Sequence, residues 1–244
     1  MPSSRSRKAE LDRLGAVPFA HRGLHGGARV ENSTGAIAAA VAQGYGVELD
    51  VQLSRDGEAM VFHDYELDRL TGEQGPVSGR TAGQLQAIRL AICGEAIPRL
   101  ADALEAIGGR TPLLIELKAP ETGIARLCSA VAAALAGYSG PVGIMSFDPR
   151  VGRWFARRAP GLLRGLVVTE SGRRGPRGRI ERRLALWWAQ ADFLACDIRD
   201  LPSRFAGAAR RRGLPVYTWT VRSDSDRARA AAHADQIIFE APPR

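Results

Sequence analysis

Nine short runs rich in β-branched and aromatic residues recur along the chain, and alanine- and arginine-rich stretches separate nearly all of them. The runs are AVPFA (16–20), VELDVQL (47–53), AMVFH (59–63), LLIELK (113–118), VGIMSF (142–147), LLRGLVV (162–168), ADFLACD (191–197), PVYTWTV (215–221) and DQIIF (235–239). Strands alternating with helices predict a parallel sheet covered by helices, the α/β class. Helices are expected over 33–43, capped by Asn32 or Ser33 and stopped at Gly44, and over 123–137. One run breaks the alternation. AMVFH follows VELDVQL across only SRDGE, and Asp-Gly between alternating runs signals a hairpin, so AMVFH returns antiparallel. The eight runs left, in 244 residues, predict a TIM (β/α)8 barrel with its active site at the C-terminal strand ends. A doubly wound open sheet is the competitor, and no G-x-G-x-x-G follows the first run to support it. The expected organisation is one barrel domain over 1–244, with 1–16 as an N-terminal extension. Residues 65–109 form a small insertion lobe over the rim, with helices at 81–88 and 98–107.

A hydrophobic content of 45% can fill such a core, but a net charge of +8 and a pI near 10.2 also fit a nucleic-acid binder. All of the 34 basic residues except Lys8 and Lys118 are arginine, a bias spread along the chain and not one designed patch. Charge alone therefore excludes little. Cys93, Cys128 and Cys196 are scattered without C-x-x-C spacing, which argues against a zinc or dithiol site and for buried free thiols. The first sixteen residues carry charges without an apolar run, and no stretch reaches the length of a membrane span. A cytoplasmic protein with no stable membrane insertion is expected.

In VELDVQL the two-residue period of a strand puts Glu48, Asp50 and Gln52 on one face, and LLIELK puts Glu116 and Lys118 on one face. Carboxylates crowded inside a barrel repel and are costly to desolvate unless something positive lies between them. Glu48, Asp50 and Glu116 at one mouth suit a hard divalent cation, Mg2+ or Ca2+; a buried ion-pair network is the alternative. A two-residue turn at Asp56 and Gly57 would set Arg55 opposite Glu58 and Asp50 opposite His63. His63 and His21, at strand ends beside these acids, are then candidates for general acid and base. Arg22 and Lys118 add positive charge that an anionic substrate requires, and Gly23 would let backbone approach closely. These residues describe metal-assisted phosphoryl transfer by water or a substrate hydroxyl, with no obvious covalent nucleophile.

HRG at 21–23, EN at 31–32, ELDVQLSRDGEAMVFHD at 48–64, IELK at 115–118, SFDP at 146–149 and TWTV at 218–221 occur in this order. The ordered set, from Pro18 to Pro242, resembles the glycerophosphodiester phosphodiesterase family. The resemblance implies a TIM barrel with a small insertion and a Mg2+- or Ca2+-dependent cleavage of glycerophosphodiesters to glycerol 3-phosphate and an alcohol. It implies Glu48, Asp50 and Glu116 as metal ligands, His21 and His63 as the acid and base pair, and Arg22 and Lys118 as phosphate-binding charges. It also implies attack by a neighbouring glycerol hydroxyl to give a cyclic phosphate that water opens. Trp219 matches an aromatic near the substrate, though core packing at a strand end accounts for it equally well. Val30 replaces the family's proline before Glu-Asn, and Phe239 and Glu240 replace its Thr-Asp near the C-terminus. A lysophospholipase D-like activity on lipid substrates is a second reading of the same site, and a non-catalytic nucleic-acid-binding module a third. The expected partner is a small-molecule glycerophosphodiester, with no nucleic acid. The basic segment Ser171–Arg179 should lie on the catalytic face, where it would draw in anions or rest on anionic headgroups; its glycines and like charges predict a solvated, mobile loop. His25 falls beyond the HRG motif and is expected in solvent.

Overall fold

The computed structural model describes residues 4–240. Its strands are β1 (Phe19–Ala20), β2 (Gly46–Leu53), β3 (Ala59–Val61), β4 (Leu113–Leu117), β5 (Val142–Ser146), β6 (Leu163–Val168), β7 (Phe193–Asp197), β8 (Val216–Val221) and β9 (Gln236–Phe239). Its helices are α1 (Ser4–Leu14), α2 (Thr34–Ala42), α3 (Ala82–Ala87), α4 (Leu100–Ile107), α5 (Ile124–Ala134), α6 (Pro149–Arg158), α7 (Pro176–Ala189), α8 (Arg204–Arg211) and α9 (Asp224–His233). Eight strands pair in parallel, and β1 bonds to both β2 and β9, so the sheet closes. The fold is a TIM barrel, with β3 paired antiparallel to β2 outside the closed ring.

Side chains of one parity along each strand point into the barrel. Phe19, Leu114, Met145, Leu163, Val167, Phe193, Ala195, Tyr217 and Ile238 form one apolar cluster, whose Met145 and Ile238 reach up to the floor of the mouth. Stepping up by two toward the C-terminal end replaces these with polar groups: Phe19 by His21, Leu114 by Glu116, Ala195 by Asp197, Ile238 by Glu240. The opposite parity faces the helices and builds the larger core, which includes Leu49, Val51, Ile115 and Leu194.

The described part of the expected extension, residues 4–16, packs on the barrel. Helix α1 lies across the N-terminal end, where Leu14, fully buried, joins the interior cluster and Leu11 packs against it. Arg7 fixes the helix: it donates to Asp192 through Nε at 2.9 Å and to the Leu162 carbonyl at 2.7 Å. Leu11 and Leu14, too few to read as an apolar run, lie where the barrel is open.

The hairpin differs in register from a two-residue turn. Gln52 pairs with Met60 and Leu53 with Ala59. The Ser54 amide donates to the Glu58 carbonyl at 2.9 Å, which leaves a three-residue loop with Gly57 at φ +97°. Ser54 Oγ selects it by accepting from the Glu58 amide at 2.9 Å. Phe62, not His63, therefore donates its amide to the Asp50 carbonyl, at 3.0 Å. His63 lies one residue beyond, in a bend at the rim.

The lobe boundary also shifts. Its core contains Met60, Phe62, Leu67, Val77, Leu85, Leu90 and Ile97, with Val30 from the β1–α2 loop. Helix α4 belongs to the barrel instead, because Leu100, Ala103, Leu104 and Ile107 recur at i, i+3, i+4, i+7 and bury in the main core.

Candidate active site

Glu48 and Asp50 project from β2 and Glu116 from β4, into the same end of the barrel. All three are buried, at 1%, 1% and 8% exposure, and one carboxylate oxygen from each lies within 4.8 Å of the others. Two cations brace them. Lys118 Nζ donates to Glu116 Oε1 at 2.5 Å and stands 2.9 Å from Asp50 Oδ1. The Arg22 amide donates to Glu48 Oε2 at 2.9 Å, and its Nη1 donates to Glu31 Oε1 at 2.7 Å. Arg22 reaches this position with a left-handed backbone, φ +56°. Gly23 follows at φ +77°, where a Cβ would meet the Ala36 backbone at 2.8 Å. The close approach that requires this glycine is thus to helix α2, not to a ligand.

Charge balance at the mouth is incomplete. Burial, with Asp50 and Glu116 as neighbours, pushes Glu48 well above its usual value, and burial also raises Glu116. Burial opposes ionisation of Asp50 too, but Lys118 and then Arg22 hold its carboxyl far below the usual range. Burial and mutual repulsion therefore oppose ionising all three carboxylates together even with Lys118 and Arg22 beside them, and a divalent ion would add positive charge there. Arg22 Nε, 3.3 Å from Asp50 Oδ2, remains a buried donor without a hydrogen-bond partner. Buried oxygens in a close group are the donor set of a hard cation, so these residues fit one.

The two histidines flank this group. His21 Nδ1 lies 2.8 Å from Glu240 Oε1, which turns Nε2 toward Glu48 Oε2 at 4.0 Å. His63 Nδ1 lies 2.7 Å from Asp64 Oδ1, which leaves its Nε2 for the cavity. Burial is the largest influence on both and holds each imidazole below its ordinary value. Arg222 donates to both oxygens of Glu240, at 2.6 and 2.9 Å, and Arg69 donates to both Asp64 and Glu31. A cavity of about 500 Å3 opens here, lined by His21, His63, Glu116, Lys118 and Trp219 among others. Trp219 stands over it edge-on to Phe147, with ring centroids 5.7 Å apart, and its indole N–H donates to the Ala195 carbonyl at 3.0 Å.

All eight residues singled out in the sequence converge on this mouth. Several supporting groups were missed. Asn32, left-handed at φ +59°, donates to Asp50 Oδ2 at 2.9 Å and accepts from the Asp50 amide; Ser33 is free to cap α2. The EN motif pointed to Asn32 without saying what it holds. Glu240, read as a departure at a strand end, orients His21. His25 is half-buried, and its ring, His21 and Glu240 offer ligand atoms within 4.8 Å of one another. Arg69 sits in no motif, and only the folded lobe brings it here.

Carboxylates, paired cations and oriented histidines at the C-terminal mouth of a closed (β/α)8 barrel suit chemistry on an anionic phosphate ester. Residues 21–242 match the Glycerophosphoryl diester phosphodiesterase family, and the chain belongs to that family. Bacillus subtilis YhdW is 28% identical over 235 residues, covering 92% of this chain and 94% of that one. The glycerophosphodiester phosphodiesterase of Caldanaerobacter subterraneus is 30% identical over 224 residues, covering 87% of this chain and 89% of that protein. Among solved structures, a phosphodiesterase of Oleispira antarctica in complex with the product sn-glycerol-3-phosphate superposes with a TM-score of 0.80 at 24% identity, covering 91% of each chain. That likeness shows the fold.

Proposed function

We propose that this enzyme hydrolyses glycerophosphodiesters to glycerol 3-phosphate and an alcohol, with Glu48, Asp50 and Glu116 holding one divalent cation, Mg2+ or Ca2+. The observation that carries the reading is a single mouth in which these carboxylates, Arg22 and Lys118 meet two histidines whose Nδ1 atoms are each held by a carboxylate. The glycerol 3-phosphate bound by the Oleispira protein is the product expected here. When bound, the cation would neutralise charge on the phosphoryl oxygens.

The chain's own residues do the rest. Arg22 and Lys118 draw the phosphodiester in and stabilise the charge that develops on its oxygens. Glu240 and Asp64 fix ring orientation, so Nε2 of each imidazole faces the substrate. One Nε2 removes the proton of a neighbouring glycerol hydroxyl as it attacks phosphorus. The other returns a proton to the departing alcohol oxygen. With the roles exchanged, water then opens the cyclic phosphate. Burial lowers both imidazoles, so the acidic limb of the rate profile, which reports the ring acting as base, should lie below the ordinary imidazole value; the ring acting as acid takes up its proton beside the bound phosphodiester anion. Chelation with EDTA, His21→Ala and Glu48→Ala should each abolish release of glycerol 3-phosphate from glycerophosphocholine; release that survives all three overturns the proposal. A parallel assay on a lysophospholipid separates this activity from a lysophospholipase D-like one.

A further inference from the structure

Helix α7 carries an apolar stripe on its outer side. Of the seven large apolar or aromatic side chains exposed among the described residues, four lie on this helix: Ile180 at 58%, Leu184 at 59%, Trp187 at 77% and Trp188 at 45%. Their spacing, i, i+4, i+7, i+8, places them on one face. The opposite face, with Gly178, Arg182 and Ala189, is already buried against the barrel. Apolar area at this density on a solvent face marks a contact surface.

Its surroundings identify the occupant. Between Ser171 and Gln190 the chain has six arginines against one acid, Glu181. Arg173 and Arg177 both use that acid, and among the described residues Arg179 and Arg183 make no ion pair. Trp187 borders a cleft of about 1090 Å3 between α7 and α8, whose walls carry Glu170 and Asp200, the latter paired with Arg174 at 3.3 Å, against Arg179, Arg183, Arg204 and Arg212. A second copy of the chain would bring like charges face to face. An anionic lipid surface instead matches both features, with tryptophans at headgroup depth and guanidinium groups on phosphates. We infer that α7 docks this enzyme peripherally on anionic membranes.

The helix is built to present this face without unfolding. Pro176–Arg179, expected as mobile loop, form its first turn. Arg182, 7% exposed, donates to the Arg173 carbonyl at 2.9 Å, pairs with Glu170 at 3.6 Å and covers the Phe205 ring at 5.7 Å. The preceding loop crosses close over Gly178, where a Cβ would meet the Arg173 carbonyl at 2.0 Å. Since α7 runs back from the catalytic rim along the barrel wall, docking leaves the mouth open to solvent.

Sedimentation with vesicles of equal parts phosphatidylglycerol and phosphatidylcholine tests the inference, with pure phosphatidylcholine as reference. The protein should sediment with the anionic vesicles only, release in high salt, and shift its tryptophan emission to shorter wavelength. Trp187→Ser should lower partitioning roughly tenfold, and Arg179→Ala with Arg183→Ala by roughly tenfold or more. Circular dichroism and hydrolysis of soluble glycerophosphocholine should not change. Equal sedimentation of the variants, or equal binding to neutral vesicles, would overturn it. So would a dimer in solution that Trp187→Ser dissociates, or binding of a single-stranded oligonucleotide in place of vesicles.

Discussion

The two ends of the barrel are built from the same strands to opposite rules. At the base, inward positions carry Phe19, Leu114, Phe193 and Tyr217, closed below by Leu14 of α1. Two residues further along, the mouth carries His21, Glu116 and Glu240, with Glu48 and Asp50 from β2. The base buries apolar surface and stabilises. The mouth buries like charges and costs stability until a counter-charge arrives. The proposed active site and the stabilising base thus lie along one axis, and substitutions at each end should fail in different ways.

The sharpest contrast sets His63→Ala against Leu114→Ala. The first should lower kcat by about 10²–10⁴-fold with little change in melting temperature. The second should cost about 2–5 kcal/mol of stability while the folded fraction keeps its kcat. Comparable losses of kcat from both would erase the distinction. Next comes Glu240→Gln, expected to reduce kcat roughly 10–100-fold. Because Glu240 raises the His21 value against burial, the same change should move the limb of the profile that His21 governs to lower pH, the acidic one if it is the base and the basic one if it is the acid, a shift that simple loosening would not produce.

A smaller effect appears in stability without metal. Glu48 has a folded-state value raised above its unfolded one, so its favourable contribution is present at acid pH and fades as pH rises through the raised value. Chelated protein should therefore melt at lower temperature as pH rises above the ordinary carboxylate range, and divalent cation should restore it. Glu48→Gln should flatten the trend, as differential scanning fluorimetry would record; an unchanged slope would mean that the mouth is not strained. The smallest effect separates barrel from lobe. Burial pushes the Cys128 and Cys196 thiols up to about 12, so a thiol reagent at neutral pH should label only Cys93, half-buried in the lobe, and leave melting unchanged.

Much of this was legible in one dimension. The alternation of runs, the hairpin and the parity of Glu48, Asp50 and Glu116 are local patterns, and local patterns survive reading without coordinates. The register of the hairpin was not legible, because a single hydroxyl, Ser54 Oγ, favoured a three-residue loop over a two-residue one. Glu240 and His25 were passed over for another reason. Glu240 is 219 residues from the histidine it orients, and nothing in IIFEAP marks that contact. Helix α4 read as part of an insertion because its amphipathic face does not say which core it will join.

The sequence by itself determined the barrel class, the hairpin's direction and the identity of the charged residues, because strand period and hydrophobic pattern act between near neighbours. Tertiary structure alone decided how those charges are held. Barrel closure places β9 beside β1, and with it Glu240 on His21. Folding of the lobe brings Arg69 between Glu31 and Asp64. Packing of α7 turns its tryptophans outward. Each is a contact between segments far apart in the chain, set by closure and core packing, which no local period encodes.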